Sequence, residues 1–117
     1  MTQDLIRIPT VNPPGEFYLD CVEYLNKRFK SRGFKTQIIR AIGTPSDNDE
    51  YPRQNIVANI SNAEGPCVHF NSHIDIVAVG SGWTQPPFEG KVVGDKIYGR
   101  GSCDLKGRLT ASIIAVE

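Results

Sequence analysis

The 117-residue chain carries 13 Lys and Arg against 13 Asp and Glu, so its formal net charge at pH 7 is zero. That balance offers no basic field to nucleic acid or to an anionic membrane, and the length leaves room for one domain with a modest core. No apolar run approaches the roughly 18 residues of a spanning helix, the start Met1-Thr2-Gln3-Asp4-Leu5 lacks signal-peptide features, and three cysteines without framework spacing indicate free thiols in a reducing, cytoplasmic setting.

In chain order, Asp4 to Ile8 reads as a short helix stopped by Pro9 and then by Asn12-Pro13-Pro14-Gly15. A longer helix follows, because Tyr18, Val22, Leu25 and Phe29 recur at helical spacing and make one apolar stripe. Glu16, Asp20 and Glu23 crowd its start, and Lys27, Arg28, Lys30 and Arg32 its end, each sign matched to the helix dipole. Gly33 stands where the residue past a C-cap belongs. Strands are expected over Phe34 to Ile39, Asn55 to Ile60 and Cys67 to Ser72. The Pro-, Asp- and Asn-rich stretch from Gly43 to Arg53 is expected to be an exposed, mobile loop. Asn62-Ala63-Glu64-Gly65 is short enough to join two antiparallel strands. Val92-Val93 and Lys96-Ile97-Tyr98 flank Gly94-Asp95, the pattern of a small hairpin with a two-residue turn. A final helix begins after Asp104, with Leu105, Leu109, Ile113 and Val116 as its apolar face. The chain stops at Glu117 inside that helix with no capping residue after it, which is expected of a piece of a longer protein.

Chemistry gathers at two places. In an extended segment His69, Asn71, His73 and Asp75 share one face. His73 and Asp75 lie roughly 7 Å apart along such a strand, near enough for the carboxylate to reach one imidazole nitrogen if the strand end bends. An imidazole bound to metal through one nitrogen usually donates its other N–H to such a partner. His69 is roughly 13 Å further back and cannot share the same ion, so it is assigned a structural role. His-x-Asp alone is also the pattern of an ordinary histidine with an acid beside it. The second place is Gly99-Arg100-Gly101-Ser102-Cys103-Asp104. Two glycines around an arginine after a strand mark backbone that is tightly packed or in unusual dihedrals. Ser102 or Asp104 could cap the next helix, and a carboxylate there could also offer an oxygen to a metal. Lys106 lacks the Gly-x-x-x-x-Gly-Lys context of a phosphate loop. The cysteines have no Cys-x-x-Cys partner for a zinc knuckle. Trp83, Pro87 and Phe88 fall in one loop and are expected to pack it down.

Taken in order, Leu5 to Glu16 (Leu-Ile-Arg-Ile-Pro-Thr-Val-Asn-Pro-Pro-Gly-Glu), Ser72-His73-Ile74-Asp75, Gly82-Trp83-Thr84 with Pro87-Phe88, and Tyr98 to Gly107 closely resemble the N-terminal part of the acetylornithine deacetylase, succinyl-diaminopimelate desuccinylase and aminoacylase family of zinc hydrolases. The resemblance runs nearly from end to end. It implies an α/β catalytic domain of three layers, a mixed central sheet between helices, with residues 1–117 its N-terminal portion and a smaller lid domain elsewhere. It implies two zinc ions (cobalt and manganese being alternatives), with His73 a ligand of one and Asp104 bridging both. Asp75 would be the active-site aspartate that orients His73, and the Asp104–Leu105 peptide would be cis. Arg108 departs from a usual second glycine and Ala78 from a common proline; both bear on loop shape rather than on a ligand. The Glu-Glu pair, further acid and final His of such enzymes have no counterpart here.

The expectation is a zinc-dependent amidohydrolase piece acting on N-acyl amino acids or small peptides, inactive by itself. The alternative is a non-catalytic binding or assembly module that keeps the scaffold. A homodimer formed by strand exchange is a further expectation, resting on the sheet edge such a piece would expose.

Overall fold

The heptad-like stripe of the long helix sets the core. In a computed structural model, which describes residues 1–60 and 64–117, that helix packs its apolar face inward through Tyr18, Cys21, Val22, Leu25 and Phe29. The element order is α1 (Thr2–Ile6), α2 (Tyr18–Ser31), β1 (Lys35–Arg40), β2 (Gln54–Asn59), β3 (Lys91–Val93), β4 (Lys96–Tyr98) and α3 (Lys106–Val116). Leu5, Cys21, Leu25, Phe29, Phe34, Leu109 and Ile113 form one buried cluster, against which Ile56, Ala58 and Ile74 are packed. Phe29 and Phe34 meet with ring centroids 5.3 Å apart and tilted by 51°, a favourable aromatic geometry. α2 ends as its sequence indicates, with Arg32 the C-cap and Gly33 at φ +82° just beyond.

β1 and β2 pair antiparallel, Lys35 opposite Asn59 and Arg40 opposite Gln54. β3 and β4 form the expected hairpin, Val93 opposite Lys96 across Gly94-Asp95. The α/β class is what the structure shows; its sheets are these two antiparallel pairs, plus one parallel bridge between Val11 and Ile76. The expected strand at Cys67 to Ser72 is not assigned as one. Among the described residues no neighbouring strand pairs with it, and its side chains are mostly exposed. Strand propensity gives the segment no ladder without a partner edge. The turn expected at Asn62 to Gly65 falls partly outside the described residues. The loop before β2 is exposed, as expected, but it is tied down: Asp47 accepts from Arg40 Nε at 3.1 Å and from the Arg53 backbone N–H at 2.7 Å.

α3 packs against α1 and α2, and its end is held by Glu117, which pairs with Arg28 (Nε to Oε1, 2.7 Å). Lys106, at the start of α3, is wholly buried. Its ammonium donates to the carbonyls of Leu5 at 2.8 Å and Ile8 at 2.6 Å, and burial pushes its pKa down to about 8. Burial likewise pushes the Cys21 thiol up to about 11. No helix among the described residues is long and apolar enough to cross a membrane.

Candidate metal centre

The segment carrying His73 and Asp75 is fixed by the chain's own N-terminal stretch. The Ile76 N–H donates to Thr10 O at 2.9 Å, and the Asn12 N–H donates to Ile76 O at 2.8 Å. Thr10, fully buried, donates its hydroxyl to Ile74 O at 2.5 Å. Alternation then sends Ile74 and Ile76 to the core and leaves His73 and Asp75 on the open side. The shared face expected for these two residues is present, although only the parallel bridge, not a full strand, supplies it.

Asp104 arrives from the other direction. Gly99 lies so close to α1 that a Cβ there would sit 2.6 Å from Ile6 Cγ2. Gly101 takes φ +82°, a conformation that side chains disfavour, and its carbonyl accepts the Lys106 N–H at 2.9 Å. Both readings of this glycine pair therefore hold, one at each glycine. The Asp104–Leu105 peptide is cis, as the resemblance implied. Neither Ser102 nor Asp104 caps α3: Leu105 occupies the N-cap position without a side-chain bond. The Asp104 carboxylate faces His73 instead of the helix N–H groups.

The three candidate residues come together around one imidazole. His73 Nδ1 is 3.0 Å from Asp75 Oδ1 and 3.2 Å from the Asp75 carbonyl oxygen. Both partners are acceptors, so in the neutral ring Nδ1 carries the proton and Nε2 is left with its lone pair. That nitrogen lies 3.4 Å from Asp104 Oδ1, beyond the usual N–H···O range of about 2.7–3.2 Å. Two electron-rich atoms facing each other at this spacing suit a shared cation. Ligands each about 2.0–2.1 Å from a tetrahedral zinc ion stand about 3.3–3.4 Å apart, so these two donors fit one edge of its coordination shell. Among the described residues no three His, Cys, Asp or Glu side chains converge to hold an ion; Asp75 lies on the far side of the ring. His73 and Asp104, with Asp75 and the run Gly99 to Cys103, line a cavity of about 300 Å³.

Outside this trio, His69 is exposed and does not line the cavity. Cys103 lines it as an exposed free thiol. Trp83 packs its loop, as expected: its indole donates to Val79 O at 2.6 Å and the Arg100 guanidinium lies 5.0 Å above its ring. Sequence reasoning missed the supports, namely Thr10, Asn12 and Lys106. Lys106 had a detectable signal, since it shares helical spacing with Leu109 and Ile113. Thr10 and Asn12 had none beyond their place in a proline-rich turn.

The α/β scaffold thus turns an imidazole toward one carboxylate at an open strand end, with a second carboxylate behind the ring. Comparisons with known proteins add a family likeness. The profile of peptidase family M20/M25/M40 matches residues 69–117, the stretch that holds His73, Asp75 and Asp104. A succinyl-diaminopimelate desuccinylase from Bradyrhizobium sp. (strain ORS 278) is 37% identical over 117 residues, 98% of this chain and 28% of that protein. Its counterpart from Bradyrhizobium sp. (strain BTAi1) is 38% identical over the same span. The chain is thus similar to peptidase family M20/M25/M40 over residues 69–117 and to these desuccinylases over nearly its whole length. It spans 28% of the length of these relatives.

Proposed function

We propose that the chain is the N-terminal portion of the catalytic domain of a metal-dependent amidohydrolase, with the lid and the remainder of that domain supplied by sequence outside residues 1–117. The substrates are N-acyl amino acids or small peptides, and the named relatives favour an N-succinyl group. The observation that carries this reading is the 3.4 Å approach of His73 Nε2 to Asp104 Oδ1 while Nδ1 is held by Asp75.

In this reading His73 and Asp104 would hold zinc, with cobalt or manganese as the alternatives. Bound there, zinc would supply Lewis acidity to the scissile carbonyl and to water at neutral pH. The chain's own residues do the rest of the positioning. Asp75 keeps the proton on Nδ1, so Nε2 stays an acceptor. Asp104 supplies the anionic oxygen that a hard cation prefers. The general base of hydrolysis, a glutamate in the family this chain resembles, is assigned to sequence outside residues 1–117.

The test is hydrolysis of N-succinyl and N-acetyl amino acids with added zinc. The 117-residue chain is expected to turn over neither, whereas the protein read on to the length of its relatives is expected to do so and to lose activity in H73A and D104A. Robust turnover by the short chain, or an unimpaired D104A, would contradict the proposal. A reading frame that ends at Glu117 would favour a binding or assembly module.

A further inference from the structure

A polar chain runs behind Asp75, away from the cavity. Asn12 donates through Nδ2 to Asp75 Oδ2 at 3.2 Å. Its Oδ1 accepts from Arg53 Nη2 at 3.0 Å. Arg53 is itself clamped: Nη2 also donates to Pro14 O at 2.8 Å, Nε donates to Ser46 O at 2.9 Å, and the guanidinium lies 5.0 Å over the Tyr18 ring. The order of these bonds is forced. A guanidinium is only a donor, so it takes the amide oxygen of Asn12 and turns the amide nitrogen toward Asp75. A carboxylate is only an acceptor, so Asp75 meets that nitrogen with one oxygen and presents the other to His73 Nδ1, at 3.0 Å.

We infer that Asn12, aligned by Arg53, is a positioning residue that fixes the Asp75 carboxylate and through it the tautomer of His73. The two ends of the chain come from separate parts of the sequence, the turn at residue 12 and the start of β2 near residue 53, so the loop before β2 is tied to the site. The use of this arrangement rests on the proposed function, because a fixed Nδ1 proton matters most when Nε2 takes a metal. Asp75 without Asn12 could rotate and leave its second oxygen to water.

Long-range ¹H–¹⁵N correlation of the ring nitrogens tests this directly. The chain has two histidines, and the H69Q variant assigns the spectrum. At a pH about two units above the ordinary imidazole value, His73 is expected to hold its proton on Nδ1. In N12A the ratio of Nδ1–H to Nε2–H forms should fall at least about threefold, and the zinc concentration that half-shifts the Nε2 resonance should rise about three- to tenfold, at or below the low end of the effect of residues directly behind metal ligands. R53M should move both in the same direction by less, and stands in if N12A fails to fold. In a D75A background, N12A should add nothing to the tautomer ratio. An unchanged ratio and zinc midpoint in both N12A and R53M would overturn the inference, as would an undiminished N12A effect without Asp75. A tautomer shift in N12A beside a wild-type Nε2 that ignores zinc would support the positioning role and sink the metal reading alone.

Discussion

The ammonium of Lys106 ends inside the core, on the carbonyls of Leu5 in α1 and of Ile8 just beyond it, each of which also accepts one backbone N–H. A cation at a helix C-terminus is favourable, and these bonds join the first turn of α3, beside Asp104, to α1. Lys106→Ala would take one of two hydrogen bonds from each carbonyl and leave a void beside them, and is predicted to cost about 2–4 kcal/mol in urea unfolding. Lys106→Met fills the space and removes the buried charge, so it should cost less. Gly99 makes the companion case for space. Gly99→Ala would press a methyl onto Ile6 Cγ2 at 2.6 Å and is predicted to destabilise by about 1–3 kcal/mol. Ile6→Val in that background, measured in the same way, should recover part of the loss.

Among the elements, the loop between β1 and β2 shows why composition misleads. Its Pro, Asp and Asn residues indicate exposure, yet Asp47 is almost fully covered and bridges Arg40 and the Arg53 N–H. Arg40 first, then that N–H, holds the Asp47 carboxyl below its ordinary value. A depressed acid contributes its stability above the unfolded value, near about 3.9, and loses it as pH falls through the lower folded value. Hydrogen exchange over residues 41–53 should therefore stay slow down to about pH 4 and quicken, beyond the intrinsic pH trend, in more acid solution. D47N should show fast exchange already at neutral pH. The helices and the hairpin were legible because their signals are local: the α2 stripe, the sign of its end charges, and Gly94-Asp95 between two short apolar runs. The segment from Cys67 to Ser72 was not, because a strand needs an edge to pair with and no local pattern names one.

At the scale of the whole molecule, the radius of gyration is 15.2 Å, against about 13 Å for a compact domain of this length. Val57, Val68, Phe70 and Ile97 remain well exposed, so the chain alone is predicted to bind a hydrophobic dye, and a lack of dye fluorescence would count against this picture. The approach of Asp75 to His73 was legible from their spacing, whereas the convergence of Asp104 with them was an implication of the resemblance carried by the ordered motifs. Asn12 and Arg53 were not legible, because an amide 41 residues from its guanidinium leaves no periodic trace. The central claim is that His73 Nε2 and Asp104 share a cation. Anomalous diffraction at the zinc edge, on crystals of the chain grown with zinc, tests it most directly: the account predicts a peak between those two atoms, at about 2.0–2.2 Å from each, and a peak on His69 or the exposed cysteines with nothing between His73 and Asp104 would contradict it.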